Sequence, residues 1–237
     1  MIVKDLIKPV AGLLLGILPL PFSLFLVRKI PKLAGVFPSK RKILFKKYLG
    51  DIKVNIDTDY VIEKGMLAGR YDRVTLSIID RIVKPGDFCL DIGANAGAIS
   101  FALAKKVGIF GKVIAFEPGP RIFERLKANI SLNPGMEDII YPVHKGISER
   151  PSELYWKEHK GQPGNGSIIP SFEPGAERVL VTTIDEHFLR NNYKRLDFVK
   201  IDVETMEYEV IKGGVNTWKR FQPVLYYETI KDFETQR

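Results

Sequence analysis

The chain has 237 residues, a net charge of +8 and a single cysteine, Cys89. That length accommodates one ordinary domain with an extension, while a lone cysteine excludes an intrachain disulfide and fits a reducing compartment. Residues 1–50 carry ten Lys/Arg against Asp5 alone and the rest of the chain is close to neutral, which argues for a tethering arm and against a basic catalytic face.

The arm comes first. "VAGLLLGILPLPFSLFLV" (Val10–Val27) runs 18 residues without a charge, the lower edge for crossing a bilayer. Pro19 and Pro21 break a straight helix, so two interfacial helices fit as well as one span. A pair of apolar helices packed on the core is the alternative. No small-residue cleavage site follows, which disfavours a secretory signal. The cluster "SKRKILFKKY" (Ser39–Tyr48) suits anionic headgroups. It could also serve nucleic acid, but no nucleic-acid motif accompanies it. The expectation is an apolar, basic extension over residues 1–50 and a body over 51–237. Such a protein would be cytoplasmic, held peripherally or by its N-terminus at an anionic membrane surface.

Residues 51–69 show strand-like alternation. In "RYDRVTLSIIDRIV", Val74, Ile78, Ile79 and Ile82 share a helical face, and Pro85-Gly86 stops it. The chain then alternates: strand Phe88–Ile92, helix Ile99–Val107, strand Lys112–Glu117, and helix Pro120–Leu132, with proline at its first turn. A third strand, "DIIYPVHKGI", contains Pro142, which only an edge strand tolerates. This is the βαβαβ half of a parallel, doubly wound sheet. Residues 148–178, rich in proline and glycine, predict a hairpin or loop over one end of the sheet. "RVLVTTID" resumes as a strand, Leu196–Val203 forms a fourth core strand, "EYEVIKGG" a helix, and Pro223–Glu228 a fifth strand.

Ligands of such sheets lie across the carboxyl ends of the strands, where this chain places Asp91, Glu117 and Asp202. Glu117 follows Gly93 at about the spacing of a ribose-binding acid, and a carboxylate accepts both hydrogen bonds of a cis-diol. The turn Gly93-Ala94-Asn95-Ala96-Gly97 has asparagine where a dinucleotide site has its middle glycine. Asparagine tolerates left-handed angles. Asp91 suits an ammonium better than a pyrophosphate. These features favour S-adenosylmethionine over NAD.

"YDRVTLSIIDRIVKPGDFCLDIGANAGAISFALAKKV", "VIAFEPGPRIFERLKANISLN" and "LDFVKIDVETMEYEVIKGG" together resemble the FkbM family of S-adenosylmethionine-dependent methyltransferases, over roughly residues 65–230. The resemblance implies an α/β, Rossmann-like doubly wound sheet of the class I methyltransferases. It also implies methyl transfer to a hydroxyl of a sugar, glycolipid or metabolite. By the same resemblance Asp91, Gly93, Asn95 and Gly97 would cradle the methionine end, Glu117 would hold the ribose and Lys145-Gly146-Ile147 would border the adenine, with Ala94 and Pro118 also among the cofactor-binding residues. Asp72 would border the cofactor, as would Asp202.

A general base helps remove the acceptor proton. Glu204 is the first candidate, followed by Asp202 and Glu228, with helix capping as the competing role for Glu204. No second ligand motif supports a metal at these carboxylates. His144, His159 and His187 read as ordinary surface or loop residues. Two departures from the family stand out. Thr205 replaces the glycine that usually follows K-I-D-V-E, and the chain stops after the fifth strand where the family sheet adds two more. The competing functions are a non-catalytic cofactor-binding module and an RNA methyltransferase, the latter without its N-P-P-Y-type motif.

Overall fold

The computed structural model describes residues 41–69 and 71–227, with isolated positions at 11, 18, 23, 25, 26 and 29. Most of the apolar run Val10–Val27, and Glu228, lie outside the described residues. No helix among the described residues is long and apolar enough to cross a membrane.

The basic cluster before residue 50 forms a strand. β1 (Lys42–Tyr48) pairs antiparallel with β2 (Ile52–Asp57). Ile43, Phe45 and Tyr48 turn inward and the lysines stay exposed, with period-two alternation up to Phe45 and a register shift between Phe45 and Tyr48 that leaves both Lys46 and Lys47 outside. The Tyr48 hydroxyl donates to the carbonyl of Ala98 at 3.1 Å. The boundary expected at residue 50 therefore falls inside a hairpin that packs with the body, because the apolar residues between the lysines belong to the core.

Two helices follow, α1 (Val61–Leu67) and α2 (Arg73–Ile82). The alternating unit is β3 (Phe88–Ile92), α3 (Ala98–Val107), β4 (Lys112–Phe116), α4 (Pro120–Ser131) and β5 (Ile140–Val143). Later come β10 (Phe198–Ile201), α6 (Glu207–Lys212), α7 (Val215–Phe221) and β11 (Val224–Tyr227). The five main strands are all parallel, in the order β11-β10-β3-β4-β5. Chain order reverses beside β3, the switch point at which such sheets bind ligands. Pro142 sits on edge strand β5, as expected.

Both faces are covered. Cys89, Val113, Ala115 and Phe198 join the core under the hairpin, α3 and α4. Phe88, Leu90, Ile114, Phe116, Val199 and Ile201 join a second core with α5 (Ile184–Arg190) and α7. This is the Rossmann-like doubly wound architecture. Between β5 and α5 the chain builds a second sheet from β6 (Gly146–Ile147), β7 (Ser152–Glu158), β8 (Gly166–Ile169) and β9 (Glu177–Thr182), in the order β6-β9-β7-β8. The strand expected at "RVLVTTID" thus forms in this second sheet.

Candidate active site

The strand ends of β3, β4, β5 and β10 open into a cleft enclosing about 640 Å³ of space that extends into solvent. Gly93, Asn95, Glu117, Pro118, Gly146, Ile147, Asp202 and Glu204, all named from the sequence, line it.

The floor is an ion cluster set by strand register. Lys200 of β10 pairs directly with Asp91 of β3, so opposite charges face each other across neighbouring strands. Lys200 Nζ lies 3.4 Å from Asp91 Oδ1 and 3.2 Å from Asp202 Oδ2, and donates to the Gly93 carbonyl at 3.2 Å. Burial pulls the Lys200 ammonium down, but Asp91 and Asp202 outweigh it and hold it well above the usual lysine range. Asp91 Oδ2 accepts from the Ser100 hydroxyl at 2.6 Å. Asp91 is fully buried and does not line the cleft, whereas the Asp202 side chain is 25% exposed and does. Two carboxylates around one ammonium leave one negative charge, and Asp202 is where it reaches the cleft. Lys200 thus contacts both carboxylates, Asp91 from below the cleft and Asp202 at its edge, and Asp91 Oδ1 makes no hydrogen bond among the described residues.

The glycine turn takes the shape its residues allow. Gly93, Asn95 and Gly97 all have positive φ. A Cβ on Gly93 would overlap the Asp202 carbonyl oxygen, so that glycine lets two turns touch. Gly97 caps α3, and a Cβ there would come within 2.9 Å of Leu126 Cδ1. Gly97 and Ala94 serve packing and do not line the cleft.

Glu117 is 3% exposed. It accepts from the backbone N–H of Asn95 at 2.8 Å and of Gly119 at 2.7 Å. Burial pushes its carboxyl up to about 7, against the pull of those two N–H groups and Lys200. Asp72 does something else: its side chain accepts from Thr75 N at 3.0 Å and caps α2, with left-handed φ of 39°. Its neighbour Tyr71 lines the cleft instead, and burial raises the Tyr71 phenol above its ordinary range.

Glu204 lines the cleft from the turn between β10 and α6. Its φ is 50° and that of Thr205 is 83°, so the threonine adopts the left-handed backbone that glycine would take easily. A β-branched residue there is an outlier, and such strain concentrates at functional sites. No side-chain cap hydrogen bond is made at the start of α6, so Glu204 is not the cap. Glu228 lies outside the described residues.

Sequence reasoning missed Trp156 and Ile168 of the β7–β8 hairpin, both of which line the cleft. The signal was a tryptophan in a segment already expected to fold over the sheet. It also misplaced His187, which is tucked against Phe116 with rings 4.9 Å apart and Nε2 buried without a hydrogen-bond partner. Burial first, then Lys145, hold its pKa down to about 4.

A parallel sheet with this strand order, a glycine turn after its first core strand and a buried carboxylate after the second define a Rossmann-like doubly wound protein. The Methyltransferase FkbM domain matches residues 91–236, and the chain belongs to that family. It is 28% identical over 156 residues to methyltransferase sdnD of Sordaria araneosa, covering 53% of this chain and 60% of that one. It is 29% identical over 150 residues to the hexuronic acid methyltransferase AglP of Haloferax volcanii, covering 63% and 58%. The chain thus spans about three-fifths of the length of these curated relatives. A methyltransferase FkbM structure from Methylobacillus flagellatus aligns at 15% identity with a TM-score of 0.45, over 85% of this chain and 48% of that one.

S-adenosylmethionine is the cofactor of the family, and the cleft fits it. The cluster of one ammonium and two carboxylates at the floor suits a cofactor of net positive charge. Glu117, expected at the ribose, and Lys145, Gly146 and Ile147, expected beside the adenine, all line this one cleft together with Pro118.

Proposed function

We propose that this protein is an S-adenosylmethionine-dependent O-methyltransferase acting on a hydroxyl of a sugar, glycolipid or metabolite. The observation that carries it is the convergence of Glu117, Asp202 and Glu204 on one cleft at the switch point of the sheet. The cofactor supplies the methyl group. Glu117 orients the nucleoside, Asp202 holds positive charge against the cluster with Lys200, and Glu204 accepts the acceptor's proton. Holding the reactants in line supplies much of the rate, and a positioned base adds about 10²–10⁴-fold. A sugar acceptor is supported by the relative named for hexuronic acid.

Incubation with methyl-labelled S-adenosylmethionine and fractionated polysaccharide and lipid extracts tests the reading. Label should enter a glycan or lipid fraction, and Glu204→Gln should lower that transfer by about 10²–10⁴-fold with cofactor affinity nearly intact. Cofactor binding with no transfer to any fraction would favour a non-catalytic module. Against that alternative, the turn at Thr205 keeps positive φ despite the substitution.

The reading includes the arm. Its apolar run and Lys/Arg excess suit an anionic bilayer, so the full chain should sediment with anionic vesicles and a chain starting at Arg41 should not. Cutting at Asp51 would instead remove β1 from the core.

A further inference from the structure

The second sheet does more than fill the space between β5 and α5. Its β7–β8 hairpin lines the cleft beside Glu117, Gly146 and Ile147, with Trp156 registered against Ile168. Two glycines seat the indole. A Cβ on Gly119 would stand 2.9 Å from Trp156 Cε2 and 3.0 Å from Glu117 Oε1, and one on Gly166 would stand 2.7 Å from Trp156 Cζ2. A Cβ on Gly146 would overlap Ile168 Cδ1. Gly119 and Gly146 follow β4 and β5, so both hairpin side chains press on the segments that carry Glu117 and Ile147, the residues expected at ribose and adenine.

The hairpin tip is tied down by polar contacts. Asn95 Nδ2 donates to the Gly164 carbonyl at 2.9 Å, and Gly164 N donates to Glu158 Oε1 at 2.9 Å. Glu158 Oε2 in turn accepts from Arg121 at 2.8 Å. Asn95 is also the residue whose backbone N–H holds Glu117. One asparagine therefore links the hairpin to the ribose-type carboxylate.

Resting on the cofactor reading above, we propose that the β7–β8 hairpin is the roof of the nucleoside half of the cleft and that Trp156 is a cofactor-binding residue, its indole packing against the bound nucleoside. An aromatic face offers a nucleobase or ribose a broad apolar contact and keeps water from Glu117. Hairpin and carboxylate then close on the same half of the ligand, and the methionine half is left to the ion cluster.

The chain has two tryptophans, so Trp218→Phe leaves Trp156 as the sole indole reporter. The test is a titration of that variant with S-adenosylhomocysteine, adenosine and homocysteine, following indole emission beside calorimetry. S-adenosylhomocysteine should change the emission with the same Kd as the heat. Adenosine should reproduce the change, and homocysteine should not. Trp156→Phe in the otherwise natural chain should abolish the change, and it serves if Trp218→Phe fails to fold. Trp156→Ala should weaken S-adenosylhomocysteine about tenfold or more. Heat of binding with unchanged Trp156 emission overturns this proposal and leaves the cofactor reading intact. A response to homocysteine in place of adenosine does the same. Absence of any heat overturns both.

Discussion

The turn from β3 to α3 and the turn from β10 to α6 meet at the mouth of the cleft, and both run through left-handed backbone. In the first, the left-handed positions belong to Gly93, Asn95 and Gly97, at φ 84°, 48° and 96°. Glycine and asparagine take such angles readily. In the second they belong to Glu204 and Thr205, at 50° and 83°, where a side chain costs about 1–3 kcal/mol of strain. The neighbours explain the difference. Gly93 lies against the Asp202 carbonyl, with no room for a side chain. Glu204 faces open cleft, where a side chain fits and where the proposed base would stand. The first turn is shaped to allow close approach of backbone, the second to present a functional group.

The largest expected effect breaks the first turn. Gly93→Ala combines positive φ with overlap against Asp202 and should cost more than about 4 kcal/mol of stability. Chemical denaturation would measure it, and a near-normal midpoint would show that the two turns can separate freely.

Glu117 comes next. Glu117→Ala should weaken S-adenosylhomocysteine at least tenfold by calorimetry, since a hydrogen bond to a charged group contributes about 1.5–3 kcal/mol. With its carboxyl at about 7, affinity in the natural protein should rise about tenfold from pH 6 to pH 8 as the carboxylate ionises, and Glu117→Gln should flatten that rise. The same shift acts on stability. Without cofactor, the folded state binds more protons than the unfolded state between the ordinary 4.5 and about 7, so Glu117 makes stability fall as pH rises through that window. His187 has the opposite sign. Held down at about 4, it stays neutral while its unfolded counterpart charges, so its contribution is lost as pH falls from 6.5 toward 4.

A smaller effect should distinguish Asp202 from Asp91. Asp202→Asn should lower the preference for S-adenosylmethionine over S-adenosylhomocysteine by about fivefold, on the order of 1 kcal/mol for a charge near the surface. An unchanged ratio would move the counter-charge elsewhere. The smallest effect sharpens the comparison of turns. Thr205→Gly relieves strain but gains chain entropy when unfolded. The net should be about 1 kcal/mol of stabilisation, a rise of a few degrees in Tm. A fall in Tm would show that the threonine side chain holds the turn.

Much of the fold was legible because its signals are local. Apolar runs marked β3, β4 and β10, Pro142 placed β5 at the edge, and the glycine-asparagine turn marked the ligand side. Asp72 misled because a helix N-cap and a cofactor acid look alike in one dimension. The lysines of β1 suggested an arm because the count of charge obscured the inward-facing Ile43, Phe45 and Tyr48 between them, whose spacing a register shift breaks. Trp156 went unassigned because its importance depends on Gly119 and Gly166, neither of which is its neighbour in sequence.

The sequence by itself determined the parallel sheet, the class of cofactor and the carboxylates at the strand ends, since periodicity, turn chemistry and strand-end acids are properties of short segments. Only the tertiary structure decided which of the two carboxylates beside Lys200 reaches the cleft. Strand register sets Lys200 beside Asp91 and buries the pair, so the remaining negative charge reaches the cleft at Asp202. Charge pairing and desolvation depend on distances between segments far apart in the chain, and those distances exist only once the sheet has formed.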